Sequence, residues 1–229
     1  MIKYSLCDAI DNYLVTANEL EQTQRAEARA DQPPNFHPSG IGYCARSLAM
    51  GMLNYPRQTP DAQSIRIFAN GDSMHERYQK WFSDMGILVA EELPMKDPIM
   101  RLSARLDAII RVTDEGAAGM LAIVELKSAK DKQFKRMLKE GPYTGYICQL
   151  QFYMHMTGIP RGVIFMENKD TQELTEWWYE YDQAMAAQLV EKAQMVVSCV
   201  DAQLLPEREY EKTSFECRFC DYAEACWGI

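Results

Sequence analysis

Apolar residues recur at three- and four-residue intervals through the first third of the chain, which is the period of an amphipathic helix. This spacing predicts helices over residues 5–29, 41–53 and 64–85. Ser39 stands where the cap of the second helix is expected. Residues 31–38 contain three prolines and are predicted to form a loop.

Beyond Gly86 the pattern changes to short apolar and β-branched runs, which are typical of strands. Five strands are predicted, over residues 87–93, 101–112, 120–127, 161–168 and 173–181. Helical spacing returns over residues 130–140, 145–157 and 182–205. Helices before, between and after the strands predict an α/β fold whose mixed central sheet is flanked by helices.

Composition limits the class of protein. The 229 residues, of which 47% are hydrophobic and 25% charged, suit one globular core. No apolar run approaches the roughly 18 residues of a membrane span, and the amino terminus has no secretory pattern, so cytoplasmic residence is expected. A net charge of −9 disfavours a protein that coats nucleic acid nonspecifically, although it does not exclude a nuclease.

Two of the predicted strands contain the most informative polar residues, Asp107 in one and Glu125 with Lys127 in the next. Side chains alternate along a strand, so Glu125 and Lys127 share a face. Residues 113–119 contain acids and two glycines and predict a hairpin turn. Asp107 and Glu125 are equidistant from Gly116, so such a hairpin would place their Cβ atoms about 5 Å apart. Two carboxylates at that distance repel unless a proton or a divalent cation separates them.

A second Glu-x-Lys sequence, Glu167 to Lys169, serves as an internal comparison. It has no upstream acid in a paired strand and ends a predicted strand beside polar residues. We therefore interpret it as a solvated strand end. The first Glu-x-Lys is the better candidate for phosphodiester chemistry, because a hard cation with a lysine beside it is suited to cutting phosphodiesters.

Two helical pairs accompany the predicted hairpin. Gly71 and His75 are one turn apart, so the glycine could let this helix approach the sheet and bring the imidazole to the acids. Gln149 and Tyr153 have the same spacing and project from one face of a later helix. Each of these residues alone is more often structural than functional.

A basic run follows the Glu-x-Lys segment directly. It includes Lys130, Lys132, Lys135 and Arg136 and is interrupted by one acid, Asp131. Two interpretations remain open at this point, a solvated helix face and a stripe that contacts nucleic-acid phosphates.

Together, Gly-x-x-x-His, a separate Asp, Glu-x-Lys and Gln-x-x-x-Tyr resemble the RecB-like branch of the PD-(D/E)XK nuclease superfamily over roughly residues 39–229. Leu106 occupies the position of the motif's proline, a substitution that RecB-like members commonly show. The resemblance implies a restriction-endonuclease-like sheet and a metal-dependent deoxyribonuclease, with an exonuclease acting on single-stranded DNA or DNA ends as the expected activity.

The resemblance also implies roles for individual residues. The implied ligands of Mg²⁺ or Mn²⁺ are His75, Asp107, Glu125 and the backbone carbonyl of Leu126. Lys127 would act on the attacking water or the scissile phosphate. Gln149 and Tyr153 would support the site or the DNA.

Three thiols lie close together near the carboxyl terminus, Cys217, Cys220 and Cys226. Three are one short of a closed four-coordinate site, so a distant ligand is expected, with Cys44 favoured over His37. One ligand far upstream of a triplet fits a zinc site poorly. The pattern resembles the iron–sulfur RecB-like nucleases, the AddB-type helicase–nucleases and the CRISPR-associated RecB-like exonucleases, and implies a [4Fe–4S] cluster. Zinc and unligated thiols remain the alternatives.

The predicted organisation is one nuclease domain over residues 1–229. Within it, residues 1–63 form an N-terminal helical segment, 64–205 the nuclease core and 206–229 a C-terminal tail, and the cysteine-bound cluster would join the segment to the tail. The chain has no phosphate loop, so any unwinding would come from a partner. The resemblance implies a helicase, recombination or CRISPR-integration protein as the partner. The alternative functions are a non-catalytic DNA-end binding module and a zinc-stapled scaffold protein.

Overall fold

The computed structural model of the chain describes residues 5–28, 33–113 and 119–228. The helices are α1 (Leu6–Ala28), α2 (Ala45–Met52), α3 (Ala62–Asp84), α4 (Asp131–Glu140), α5 (Thr144–Thr157), α6 (Gln183–Asp201), α7 (Phe215–Arg218) and α8 (Ala223–Trp227). The strands are β1 (Leu88–Asp97), β2 (Leu102–Val112), β3 (Met120–Ala129), β4 (Arg161–Asn168) and β5 (Leu174–Glu180). Within the described ranges, no helix combines the length and apolar character needed to span a bilayer.

The five strands form one mixed sheet in the order β1-β2-β3-β4-β5. Only the β3–β4 pair is parallel, and the other neighbouring pairs are antiparallel. A parallel pair requires a crossover, which α4 and α5 supply between β3 and β4. The predicted α/β fold with a mixed sheet is confirmed. The predicted turn joining β2 to β3 falls mostly on residues 114–118, which lie outside the described residues.

Apolar side chains cover both faces of the sheet. On one face, Ile123 and Ile164 pack in a cluster that includes Phe152 of α5 and Leu189 of α6. On the other face, strand residues pack with Met74 and Tyr78 of α3; these strand residues are Ala108, Ile110, Ala122, Val124, Leu126 and Val163. Helices therefore flank the sheet on both sides, and α3 and α5 approach β2 and β3 from opposite faces.

Two local predictions about the N-terminal helices are wrong. Ser39 does not cap α2, because it lies inside a short 3-10 turn, Pro38–Gly40, and the cap position of α2 is Cys44. The helical spacing over residues 64–85 also predicts Ile67 and Met85 on the buried side of that helix, but they are 37% and 67% exposed. The buried residues of α3 in contact with the sheet are near its middle, so the apolar pattern at its ends is not matched by burial.

The C-terminal tail packs against the segment around α2. The Arg46 guanidinium donates to the Pro206 carbonyl at 2.7 Å, and the Ala45 amide donates to the Glu209 carboxylate at 3.0 Å. The Gln58 amide donates to the Asp221 carbonyl at 2.8 Å. These contacts bring the tail cysteines to the side of the molecule where α2 begins.

Candidate active site

Asp107 and Glu125 lie where the antiparallel pairing of β2 and β3 ends. The last paired residues are Ala108 and Val124, so Asp107 and Glu125 occupy the next position on each strand. The Leu126 amide then donates to Asp107 Oδ2 at 2.8 Å instead of to a β2 carbonyl. The Asp107 carboxylate therefore sits between the strands, as the register counted from Gly116 predicts.

The alternation of side chains along β2 is interrupted at Asp107. Leu106 and Ile109 both pack in the cluster that contains α5. They are three positions apart, so on a regular strand their side chains would face opposite sides of the sheet. Ala108 packs in the opposite cluster. This distortion frees the Asp107 side chain to turn toward β3, and the apolar pattern of the sequence does not reveal it.

Glu125 is the most deeply buried acid of the site. Its side chain is 1% exposed, and Oε1 forms an ion pair with the Lys127 ammonium, so the two side chains share a face as predicted. Glu125 Oε2 is also buried and has no hydrogen-bond partner. A buried, unpartnered carboxylate oxygen is energetically costly. A divalent cation would remove that cost, so the residues present fit a metal site.

The Lys127 ammonium also lies over an aromatic ring. Nζ is 5.1 Å from the ring centroid of Tyr146 on α5, a cation–π contact. Burial opposes the charge on Lys127, but the neighbouring carboxylates of Glu125 and Asp107 outweigh it and raise the pKa of Lys127. Lys127 is therefore a fixed cation at this site. Sequence reasoning missed Tyr146, whose only signal is its position one turn before Gln149.

Burial shifts the pKa of both carboxyls upward. It raises the pKa of Glu125 to about 7, with Lys127 opposing the shift and repulsion from Asp107 adding to it. Burial likewise raises the pKa of Asp107 to about 6, and Lys127 again opposes. Both acids therefore retain protons at pH values where exposed carboxyls have lost them, unless a cation compensates their charge.

His75 of α3 approaches the acids from the face of the sheet opposite α5. Its Nδ1 lies 3.6 Å from Asp107 Oδ1. Burial, and then the charge of Lys127, lower the pKa of His75, which favours a neutral imidazole with a free lone pair. The expected role of Gly71 in this approach is wrong, because a Cβ atom added there would meet nothing within 4 Å.

Gln149 and Tyr153 of α5 are both buried beside the acids. The Tyr153 hydroxyl donates to the Arg105 carbonyl at 3.3 Å. Burial, with repulsion from Glu125, raises the pKa of Tyr153, while its hydrogen bond with Gln149 opposes the shift. The hydroxyl therefore stays protonated, and its hydrogen bond to Arg105 links α5 to β2 next to the site.

Glu92 of β1 belongs to the same cluster, and sequence reasoning missed it. His75, Glu92 and Asp107 each offer one ligand atom, and these three atoms all lie within 4.8 Å of one another. The β1–β2 register places Glu91 opposite Ala108 and Leu93 opposite Leu106, so Glu92 faces Asp107. The signal available in the sequence was the acidic pair Glu91-Glu92 inside a predicted strand.

The predicted phosphate-contacting residues lie at the start and middle of α4: Lys130, Lys132, Lys135 and Arg136. All four are exposed. Lys135 pairs with Asp131 at 2.8 Å, and Arg136 pairs with Glu140 at 2.6 Å. Such exposed pairs are worth about 0–1 kcal/mol, so a phosphate could displace either carboxylate at little cost.

The interpretation of the second Glu-x-Lys as a solvated strand end is wrong. Glu167 is 6% exposed and Asn168 is fully buried. The Glu167 carboxylate accepts from Arg77 and from the Tyr78 hydroxyl of α3. Glu167 pairs with Ser128 while Lys127 pairs with the preceding β4 residue, so Glu167 faces away from the candidate site. Glu167 is therefore a buried structural acid, and the donors of its hydrogen bonds lie about ninety positions earlier in the chain.

The four cysteines proposed as cluster ligands are partly buried free thiols: Cys44, Cys217, Cys220 and Cys226. Burial raises the pKa of the Cys220 thiol, and the thiols of Cys44 and Cys217 add to the shift, so both of these cysteines lie near Cys220. In the part of the chain that the structure describes, no three cysteine sulfurs lie within 4.8 Å of one another. Thiolates that share one zinc ion would be about 3.8 Å apart.

A model of the PD-(D/E)XK nuclease superfamily matches residues 62–227, which is most of the chain. The chain therefore belongs to this superfamily. A comparison with curated proteins gave no significant match.

Solved structures share the fold. The chain is similar to SSO0001, with a TM-score of 0.63 at 15% identity, over 96% of this chain and 97% of that one. It is also similar to LHK-Exo, an alkaline exonuclease from Laribacter hongkongensis, with a TM-score of 0.55 at 18% identity, over 77% of this chain and 93% of that one. LHK-Exo in complex with dAMP gives a TM-score of 0.54 at 17% identity, over 74% of this chain and 89% of that one.

The raised pKa values predict how the stability of the metal-free protein depends on pH. Carboxyl groups have a pKa of about 4 in an unfolded chain. In the folded chain, burial raises the pKa of Asp107 to about 6 and that of Glu125 to about 7. The folded state binds more protons between these values, so its free energy of unfolding falls as the pH rises. Chemical denaturation with a chelator at pH 5.5 and pH 8 is expected to show a fall about 2 kcal/mol larger in the wild type than in Glu125→Gln. Equal falls in the two proteins would contradict the assigned burial.

Proposed function

We propose that the chain is a metal-dependent deoxyribonuclease that hydrolyses phosphodiester bonds in single-stranded DNA or at DNA ends. The observation that supports this most directly is the group formed by Asp107, Glu125 and Lys127, in which Glu125 is buried and one of its oxygens has no partner. Without a bound cation this arrangement is unfavourable, because burial and repulsion both oppose the charges of the two carboxylates. It suits a site that receives a hard divalent cation.

The proposed ligands of Mn²⁺ or Mg²⁺ are His75, Asp107, Glu125 and the backbone carbonyl of Leu126. When bound, the ion lowers the pKa of its water and offsets the charge that develops on phosphorus. Asp107 is fixed by the Leu126 amide, which directs one carboxylate oxygen toward His75. An imidazole ligand favours Mn²⁺ over Mg²⁺.

Lys127 is the proposed residue that positions the attacking water or neutralises the scissile phosphate. Its ammonium is oriented by Glu125 on one side and by the Tyr146 ring on another. Gln149 and Tyr153 maintain the approach of α5 to this group. The charges of Lys130, Lys132, Lys135 and Arg136 are proposed to contact the DNA backbone as it leaves the site.

We propose that Cys44, Cys217, Cys220 and Cys226 bind a [4Fe–4S] cluster. The tail packs on the segment that contains Cys44, and the thiols of Cys44 and Cys217 add to the raised pKa of Cys220. The cluster would link the segment 1–63 to the tail 206–229, leaving 64–205 as the nuclease core.

Two other functions are less consistent with the site. A non-catalytic DNA-end binding module does not need two neighbouring carboxylates whose burial and repulsion are unfavourable. A zinc-stapled scaffold gives no role to these carboxylates either. Exonuclease action is favoured by the shared fold with an alkaline exonuclease. We propose a cytoplasmic enzyme that acts with a helicase, recombination or CRISPR-integration partner, in repair, phage DNA metabolism or CRISPR adaptation.

A time course on end-labelled DNA tests this function. Purified protein is incubated with single- and double-stranded substrates in Mn²⁺, Mg²⁺ or chelator. We expect mononucleotides or short fragments from the single strand in Mn²⁺ and none with chelator. Unchanged substrate under every metal condition, from protein whose fold is verified, would refute the proposal.

A further inference from the structure

Three tyrosines lie together on the α5 side of the candidate site: Tyr43, Tyr143 and Tyr146. We propose that Tyr43 is the residue on which a nucleobase of single-stranded DNA stacks beside the site, supported by the other two rings. This inference rests on the proposed function and goes beyond it, because it assigns a group that contacts the bases of the substrate rather than its phosphates.

Lys127 connects the tyrosines to the acids of the site. Its ammonium pairs with Glu125 and lies 5.1 Å from the ring centroid of Tyr146. The ring centroids of Tyr146 and Tyr143 are 5.5 Å apart, with an angle of 69° between the ring planes. The Arg136 guanidinium lies 5.7 Å from the ring centroid of Tyr143. The rings therefore form a continuous path from the proposed catalytic lysine to the basic run on α4.

Tyr43 extends this path from the N-terminal segment. Its ring lies against Gly145, where an added Cβ atom would be 2.6 Å from the ring carbon Cζ. Gly145 directly precedes Tyr146 in the first turn of α5, so the ring of Tyr43 lies next to that tyrosine. Burial raises the pKa of Tyr43 and the charge of Lys127 opposes this shift, which indicates that the hydroxyl is near the ammonium.

Tyr43 combines a fixed backbone with an accessible ring. Its amide donates to the Gly40 carbonyl at 3.0 Å, and its carbonyl accepts from the Lys192 ammonium. The residue is nevertheless 43% exposed, although its ring packs on Gly145. An aromatic side chain with two side-chain torsions loses little conformational entropy when a ligand contacts it. Tyr43 is therefore suited to binding a flat apolar group.

The charges beside the rings favour single-stranded nucleic acid as the ligand. Lys127, Arg136 and Lys192 each contact one of the three tyrosines, in a chain whose net charge is −9. Proteins that bind single strands combine such cations with aromatic side chains on which the bases stack. Inside a duplex, neighbouring base pairs cover the faces of each base. The tyrosines therefore select DNA whose bases are unpaired near the scissile phosphate.

Equilibrium binding in chelator tests the proposal, because no cleavage is expected under that condition. The probes are a fluorescently labelled oligothymidylate and a strand of equal length in which every residue is abasic. We expect the wild type to bind the thymidine strand at least about fivefold more tightly than the abasic strand. Tyr43→Leu should bind both strands about equally, whereas Tyr43→Phe keeps the ring and should retain the difference.

Tyr55→Leu is the matched control, because Tyr55 is 39% exposed just beyond α2 and should be replaceable without effect on binding. The thermal unfolding temperature and the iron content of each variant verify the fold and the neighbouring Cys44. Tyr43→Met, which also lacks a ring, takes the place of Tyr43→Leu if that variant does not fold.

The outcomes separate this inference from the proposed function. Equal binding of the two strands by the wild type, or an unchanged difference in Tyr43→Leu, would overturn the role of Tyr43 and leave cleavage in Mn²⁺ as proposed. Equal losses in Tyr43→Leu and Tyr43→Phe would overturn it as well, because they would assign the effect to the hydroxyl. Binding that depends on the bases, without cleavage in any metal, would instead refute the nuclease and leave the stacking residue in place.

Discussion

Replacing Glu125 by glutamine is expected to lower the rate of DNA cleavage at least about a thousandfold, which corresponds to roughly 4 kcal/mol of transition-state stabilisation. Glutamine keeps the volume of the side chain but removes the charge that the cation and Lys127 both use. Asp107→Asn and Lys127→Ala should lose activity to a similar degree, because the three residues act as one group and their effects are not additive. The measurement is the initial rate on end-labelled single-stranded DNA with Mn²⁺.

Lys169→Ala supplies the matched control, because it alters the lysine of the other Glu-x-Lys sequence. Lys169 follows a buried acid on the face opposite the candidate site, so cleavage should stay within about twofold of the wild type. Full activity in Glu125→Gln would contradict the site assignment. A large loss in Lys169→Ala with a preserved fold would mean that the catalytic Glu-x-Lys had been misidentified.

If the proposed cluster is bound, the purified protein should be brown, and replacing Cys220 by alanine is expected to remove that colour and most of the solubility of the protein. Cys220 lies among the thiols of Cys44 and Cys217, at the contact between the tail and the segment around α2. If these thiolates bind a cluster, the free energy of binding is also free energy of folding, so its loss should release the tail. Visible absorbance, iron content and the thermal unfolding temperature measure the effect.

Cys199→Ala is the control for this change, because Cys199 lies on α6 and its thiol contacts Met195 rather than another cysteine. Its iron content and colour should match those of the wild type. If protein purified without oxygen contains zinc and no iron, these thiols bind zinc and the cluster proposal is wrong. Wild-type iron content in Cys220→Ala would remove Cys220 from the ligand set.

The central pair of the site was predictable because it depends on local rules. Alternation along one strand places Glu125 and Lys127 together, and equal distances from Gly116 give the register that β2 and β3 adopt. The five strands were predicted from the change of apolar period, and the mixed sheet from the order of helices and strands along the chain.

The remaining features depend on contacts between distant parts of the chain. Glu92 reaches the site through the β1–β2 register and through a left-handed backbone conformation, with a φ of 47°. No pattern in the sequence indicates either feature. Glu167 is buried because Arg77 and Tyr78 of α3 reach it across the sheet. The expected approach of α3 through Gly71 failed for the same reason, since the position of a helix on a sheet is set by packing along its whole length.

Anomalous X-ray scattering from crystals soaked in Mn²⁺ tests the central claim most directly, because it locates the cation without depending on activity. The account predicts a peak within coordination distance of carboxylate oxygens from both Asp107 and Glu125, with the Leu126 carbonyl beside it, and no such peak in crystals of Glu125→Gln. A wild-type crystal with no manganese between these two acids, or with manganese bound only elsewhere on the chain, would contradict it.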